Sequence, residues 1–118
     1  DLNPAAVHLL IENIALNRTG NVIPMLADAA HLPRIGFPPF DRVVMNLPLA
    51  AAEFLPAAAA LCRDGGTIHL YALVEREGEY LPRIREVTQG AVAERQVRTY
   101  SPGKWHAVYD ITVEKKGC

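Results

Sequence analysis

Cysteine is scarce: Cys62 and Cys118 are the only two among 118 residues. They form neither a disulfide framework nor the paired spacing of a zinc site. That excludes the small disulfide-stapled folds and points to a reducing, cytoplasmic setting. His8, His31, His69 and His106 fall on separate segments, so no metal site is expected. Long hydrophobic runs are missing too. The most apolar stretch, Leu47 to Leu61, is broken by Pro48, Glu53 and Pro56, well short of the roughly 20 apolar residues that cross a bilayer. No membrane attachment is expected, and the start at Asp1 has no charged-then-apolar leader, so no signal peptide is expected either. There is no surplus of charge: the formal net value is -1, so any attraction to nucleic acid has to come from a local patch. A phosphate-binding Gly-Lys-Thr loop and a nucleophile elbow are also absent, which argues against kinase and hydrolase chemistry.

What remains is a chain with half of its residues apolar, suited to one compact domain over 1–118. Asn3 is a capping residue and Pro4 suits a first helical position, so a helix is expected from about Pro4 to Asn17. Val7, Leu10, Ile11 and Ile14 give it one apolar face. Gly20 lies in the stretch 17–21 that ends it. Val22 to Leu26 is a short β-branched run interrupted by Pro24, expected as an edge strand. Residues 29–40 hold three prolines and a glycine and are expected to be an irregular connection. Arg42 to Leu47 is a continuous apolar run, a strand buried on both faces. An alanine-rich helix over 50–62 is expected to stop at Asp64-Gly65-Gly66. A strand over 67–74, a helix over 79–89 and two strands over 91–100 and 106–113 complete the order. Alternation of this kind predicts an α/β, doubly wound, mostly parallel sheet closed by a C-terminal antiparallel hairpin.

Ligands of such sheets bind outside the carboxyl ends of the strands. Three polar residues fall there. Asp1 can accept hydrogen bonds from ribose hydroxyls, and an exposed helix-start aspartate is the equally supported structural reading. Asp28, with the Ala29 amide, can read an exocyclic amine and ring nitrogen; a turn aspartate fits equally well. Asn46 follows a buried strand, where a carboxamide is costly unless something pairs with it. A planar base is one such partner, Pro48 locking the turn, and a turn cap is the other. Arg95, Arg98 and Lys104, interleaved with Tyr100 and Trp105 and no acidic residue, have the composition of a small RNA-gripping patch; a solvated hairpin with packed aromatics has the same composition. His69 reads as a hydrogen-bonded sheet residue and Cys62 as a helix-packing one.

Taken in order, Asp1-Leu2-Asn3-Pro4, Asn13, Asn17, Asp28, Arg42-Val43-Val44-Met45-Asn46-Leu47-Pro48, Phe54-Leu55, Asp64-Gly65-Gly66-Thr67-Ile68-His69 and Val97-Arg98-Thr99-Tyr100-Ser101-Pro102 resemble the archaeal and eukaryotic tRNA (guanine-N1)-methyltransferases. These act on the guanosine just after the anticodon. The resemblance runs from Asp1 to about Val113 and rests on the ordered set. It implies a Rossmann-like class I methyltransferase fold lacking its first strands, thus a partial domain. It implies S-adenosylmethionine as cofactor, held by Asp1, Asp28, Ala29, Asn46 and Leu47, with Asn46 and Pro48 beside the target guanine and the tRNA anticodon region as partner. The family's glycine-rich loop, and an arginine and a glutamate assigned to proton removal and charge stabilisation, lie upstream of Asp1, so this segment alone is expected not to methylate. Two alternatives stay open: transfer of an aminocarboxypropyl group to a modified tRNA base, and a nucleotide-binding module without chemistry.

Overall fold

The computed structural model describes residues 1–46 and 51–115. Helix α1 (Pro4–Asn17) starts as its sequence dictates: Asn3 Oδ1 accepts the Ala5 N–H at 3.0 Å and Pro4 occupies the first turn. It stops at Arg18, which takes the left-handed conformation (φ 53°) and returns its N–H to Ala15 and Ile14. Gly20 is therefore not the stop. No residue of α1 is buried, so the face expected from Val7, Leu10, Ile11 and Ile14 is only partly covered.

The strand expected over 22–26 does not form. The segment is extended but makes a single parallel bridge: the Asp1 amino group donates to Met25 O and the Ala27 N–H donates to Asp1 O, both at 3.0 Å. Pro24 removes one ladder donor, and Asp1 is the only residue that hydrogen-bonds along it in this way among those described. A 3₁₀ segment, Ala29–Ile35, follows, capped by Asp28 and ended by Gly36 at φ 88°.

The sheet has four strands: β1 (Phe40–Met45), β2 (Cys62–Val74), β3 (Val92–Ser101) and β4 (Lys104–Thr112), in the order β1-β2-β4-β3. β1 and β2 are parallel, and the other two ladders are antiparallel. The hairpin turns at Pro102-Gly103, with Gly103 at φ 77° and Ser101 opposite Lys104. Between β1 and β2, α2 (Leu55–Leu61) is shorter than the helix expected over 50–62. A 3₁₀ turn at Ala51–Phe54 precedes it, Pro56 sits in its first turn, and Cys62 is already extended. The two glycines therefore do not stop a helix. They shape a bulge inside β2, where Gly65 has φ 78° and a Cβ on Gly66 would lie 2.6 Å from Cys62 Sγ and 2.8 Å from Asp41 O. The third helix is likewise cut to α3 (Leu81–Arg85). Thr88 ends it, because its hydroxyl accepts the N–H of Glu114 at 2.8 Å and of Gly90 at 3.2 Å and ties the chain to the end of β4.

Alternation along β2 defines the core. Ile68, Leu70, Ala72 and Val74 are buried, while Thr67, His69, Tyr71 and Leu73 between them are half-buried. The buried set meets Tyr109 and Ile111 of β4, Leu55 and Ala58 of α2 and Ile84 of α3. Each large apolar side chain enclosed here contributes about 1.5–3 kcal/mol relative to exposure. This core fixes β1 beside β2, and so the place where β1 delivers Asn46.

Candidate functional site

The carboxyl end of β1 and the bridge at Asp1 face each other across a cavity of about 490 Å³. Asp1, Asp28, Ala29 and Asn46 all line it, with Leu2, Met25, Leu32, Met45 and Phe54 among its apolar walls. Residues as far apart in the chain as Asp1 and Asn46 thus open on one space.

The two carboxylates are held in the same way. Asp1 Oδ1 accepts the Asn3 N–H at 2.8 Å, and Asp28 Oδ1 accepts the Ala30 N–H at 3.0 Å. Each side chain is fixed by an amide two residues on, and its second oxygen has no partner among the described residues. The Ala29 N–H is the first amide of the 3₁₀ segment, a donor that a helix start leaves over. Asp1 is exposed and Asp28 half-buried. Together they offer two acceptors and one donor on the rim of an otherwise apolar cleft, a set that suits a nucleoside: vicinal hydroxyls on one carboxylate, an exocyclic amine and ring nitrogen on the other carboxylate and the amide.

Asn46 is exposed, directly after the buried Met45. The cost expected for a carboxamide enclosed at the strand end therefore does not arise, because water can solvate it. Leu47 and Pro48 lie outside the described residues. Arg95, Arg98 and Tyr100 are exposed on β3, and Lys104 is at the start of β4 with Nζ 3.6 Å from Glu75 Oε1. That carboxylate comes from the end of β2, outside the hairpin, and offsets one of the patch's charges. Trp105 is half-buried against the core, while Tyr100 stands edge-on to His106 at 5.5 Å. The hairpin tip lies beyond the carboxyl end of β2, where Val74 pairs with Trp105, on the same side of the sheet as Asn46.

His69 is a hydrogen-bonded sheet residue, but its partners were not legible in the sequence. Its Nδ1 is 2.7 Å from Asp110 Oδ1 and its Nε2 is 3.1 Å from Arg42 Nη1. The only signal was alternation: His69 and Asp110 occupy positions between buried residues, while Arg42 has the exposed Asp41 and the half-buried Val43 beside it. Among the described residues no group of histidine, cysteine and carboxylates has the arrangement of a metal site. Nor is any helix among them long and apolar enough to cross a membrane.

A parallel β–α–β unit extended by an antiparallel hairpin, with polar groups at the strand ends, defines a Rossmann-like α/β fold of the class I methyltransferase type. The chain belongs to the TRM5/TYW2 methyltransferase domain family, which residues 1–99 match. It is 36% identical to the tRNA (guanine(37)-N(1))-methyltransferase Trm5b of Pyrococcus abyssi over 96% of this chain and 36% of that protein. It is 34% identical to the tRNA(Phe) (4-demethylwyosine(37)-C(7)) aminocarboxypropyltransferase of Methanocaldococcus jannaschii, over 96% of this chain and 48% of that one. The crystal structure of M. jannaschii TYW2 in complex with AdoMet superposes with a TM-score of 0.82 at 32% identity, covering 98% of this chain and 56% of that one. The chain thus spans about a third to a half of the length of these curated relatives.

Proposed function

We propose that this chain is the C-terminal half of the catalytic domain of an S-adenosylmethionine-dependent tRNA methyltransferase that methylates N1 of guanosine 37 in the anticodon region. One observation carries the reading: Asp1, Asp28, Ala29 and Asn46 line a single apolar cavity. The donor set fits the cofactor. Asp1 takes the ribose hydroxyls, Asp28 and the Ala29 amide take the adenine edge, and the apolar wall that includes Leu32 and Phe54 takes the purine ring. S-adenosylmethionine, when bound, supplies an electrophilic methyl on a sulfonium. Asn46 then orients the guanine by accepting from one ring nitrogen and donating through its amide, and Leu47 and Pro48 are assigned by the family resemblance alone, Leu47 to the cofactor and Pro48 to the guanine. Arg95, Arg98, Tyr100 and Lys104 grip the RNA at the hairpin, with Lys104 partly committed to Glu75. A cytoplasmic location goes with this reading.

The test is turnover by the full-length protein with tRNA and S-adenosylmethionine, read by mass spectrometry of the nucleosides. Methylguanosine at position 37 is expected. An aminocarboxypropyl product would favour the second reading, which has a specific support: the aminocarboxypropyltransferase relative is almost as similar as the methyltransferase one, at 34% against 36%. Cofactor binding with no tRNA-dependent turnover would overturn both. The 118-residue chain alone is expected to be inactive, and turnover by it would overturn that part of the proposal.

A further inference from the structure

The last rung of the β2-β4 ladder pairs Val74 with Trp105. One step beyond it, the antiparallel register sets Glu75 opposite Lys104 at the carboxyl rim of β2, and Glu75 Oε1 lies 3.6 Å from Lys104 Nζ. The turn that leads from Glu75 into α3 is tied down along its length. The Glu75 N–H donates to Glu79 Oε1 at 3.0 Å, and the half-buried Glu79 lies 3.8 Å from Arg76 Nη1. The Gly78 N–H donates to Glu94 Oε1 on β3 at 2.8 Å, with Gly78 at φ 72°, and the Leu81 N–H closes on Gly78 O at 3.1 Å. The Tyr80 N–H reaches the hydroxyl of the buried Tyr109 at 3.4 Å, and that hydroxyl bonds Glu94 as well. An exposed ion pair contributes little stability by itself. Here contacts running back to the core fix the backbone that presents its carboxylate.

Two of the cations assigned to RNA thus have a carboxylate beside them. Arg95 Nε is 3.8 Å from Asp110 Oδ2, at the end of the row that runs from Arg42 through His69, and Lys104 faces Glu75. A carboxylate this close competes with phosphate for the ammonium and lowers the local positive potential. RNA that lacks the target nucleoside is bound through its phosphates and can slide until they meet every free cation. RNA whose target base lies against Asn46 cannot slide, because the base sets its register. A bared Lys104 would therefore add a contact to the first and only a longer-range attraction to the second. We propose that Glu75 is a specificity-determining residue, which withholds Lys104 from phosphate and so weakens the binding of non-cognate RNA more than that of cognate RNA. Glu94 is its positioning residue, acting through the Gly78 amide. Discrimination here comes from a penalty on the wrong partner and not from a new contact with the right one. The inference deepens the RNA reading of the hairpin given above and rests on it.

The experiment measures the affinity of the full-length protein for tRNA and for an oligouridylate, against salt between about 50 and 200 mM, alongside melting temperature. Glu75→Gln is expected to tighten oligouridylate binding several-fold and to steepen its log–log salt slope by about 0.7, one phosphate contact on a single strand. Its tRNA affinity should rise less, so the preference for tRNA falls. Glu75→Asp should keep the wild-type preference. Glu94→Ala should shift both affinities in the same direction as Glu75→Gln, by a smaller factor, even though it lowers the melting temperature; a merely structural role would weaken RNA binding instead and would remove Glu94 from the proposal. In a Lys104→Gln background the effect of Glu75→Gln should vanish, which ties it to that one pair. Wild-type affinity of Glu75→Gln for both RNAs, equal tightening of both, or a gain that persists without Lys104 would overturn the inference with the tRNA reading intact. Weaker binding in Glu75→Gln would make Glu75 a contact to RNA and overturn it as well. A wild-type protein that binds no tRNA would sink this inference and the functional reading together.

Discussion

The two ends of the chain differ in how they are held. No residue before Met45 is buried, whereas from Met45 to Val113 the strands and α2 enclose Leu55, Ile68, Leu70, Tyr109 and Ile111 almost completely. The first segment leaves Leu9, Ile11, Leu16 and Ile23 between 49% and 83% exposed. It is ordered mainly by local hydrogen bonds: the α1 cap, the Asp28 cap and the bridge at Asp1. The seam between these regions is where the cavity lies. Asp1, Asp28 and Ala29 come from the lean side and Asn46 from the edge of the dense one.

Glycine substitutions test that contrast most harshly. A Cβ on Gly90 would lie 1.8 Å from Thr112 O, where backbone has no room to move, so Gly90→Ala should cost about 4 kcal/mol or more. Gly20, on the lean side, has nothing within 4 Å, and Gly20→Ala should change stability by less than about 1 kcal/mol in either direction. Urea midpoints of the two variants give the answer. Comparable losses would mean that the first segment is packed after all. Leucine truncation makes the same comparison less severely. Leu70→Ala removes a side chain with 0% exposure and should cost about 2–5 kcal/mol, while Leu16→Ala, at 80% exposure, should stay within about 0.5 kcal/mol.

Asp28 sharpens the comparison on the ligand side. Asp28→Asn keeps an acceptor for the Ala30 N–H but removes the charge from the oxygen left free. A charge-assisted hydrogen bond is worth about 1.5–3 kcal/mol, so S-adenosylmethionine affinity of the full-length protein should fall about tenfold to a hundredfold. Calorimetry reads it directly, and wild-type affinity would remove Asp28 from the site.

What the sequence disclosed follows the same divide. The helix cap at Asn3 and the C-terminal antiparallel hairpin are local signals, and the structure has them where they were expected. The strand over 22–26 was legible as an apolar β-branched run, but a strand exists only with a ladder partner, and among the described residues only Asp1 supplies one. Gly65 and Gly66 were misread as a helix stop because a bulge and a stop call for the same residue. The difference lies in the register of Phe40 against Cys62 and Arg42 against Thr67, which is not a local property. Asp1, Asp28 and Asn46 could be named from their strand-end positions, whereas the row from Arg42 through His69 and Asp110 to Arg95 is a contact between strands remote in sequence. Only the sheet order brings it together.

The smallest effect belongs to the centre of the dense side. Tyr109 is fully buried, its ring meets Tyr80 edge-on at 6.0 Å, and its hydroxyl oxygen accepts the Tyr80 N–H at 3.4 Å. Burial pushes its phenol up from 10.0 to about 12, with the Glu94 and Glu79 carboxylates pushing the same way and the Tyr80 amide opposing them. The folded state thus holds the neutral phenol more tightly than the unfolded chain does. Its contribution is complete below about pH 10 and is lost as pH rises towards 12, because the unfolded chain gives up the proton first. Tyr109→Phe should cost about 1 kcal/mol near neutrality, the worth of the hydroxyl's hydrogen bonding. It should also lose less stability than wild type between about pH 7 and about pH 11, since it has no buried phenol to ionise. Urea midpoints at the two pH values decide it: if both proteins fall in parallel, the alkaline sensitivity lies elsewhere, and the dense half is not the part that a rising pH opens first.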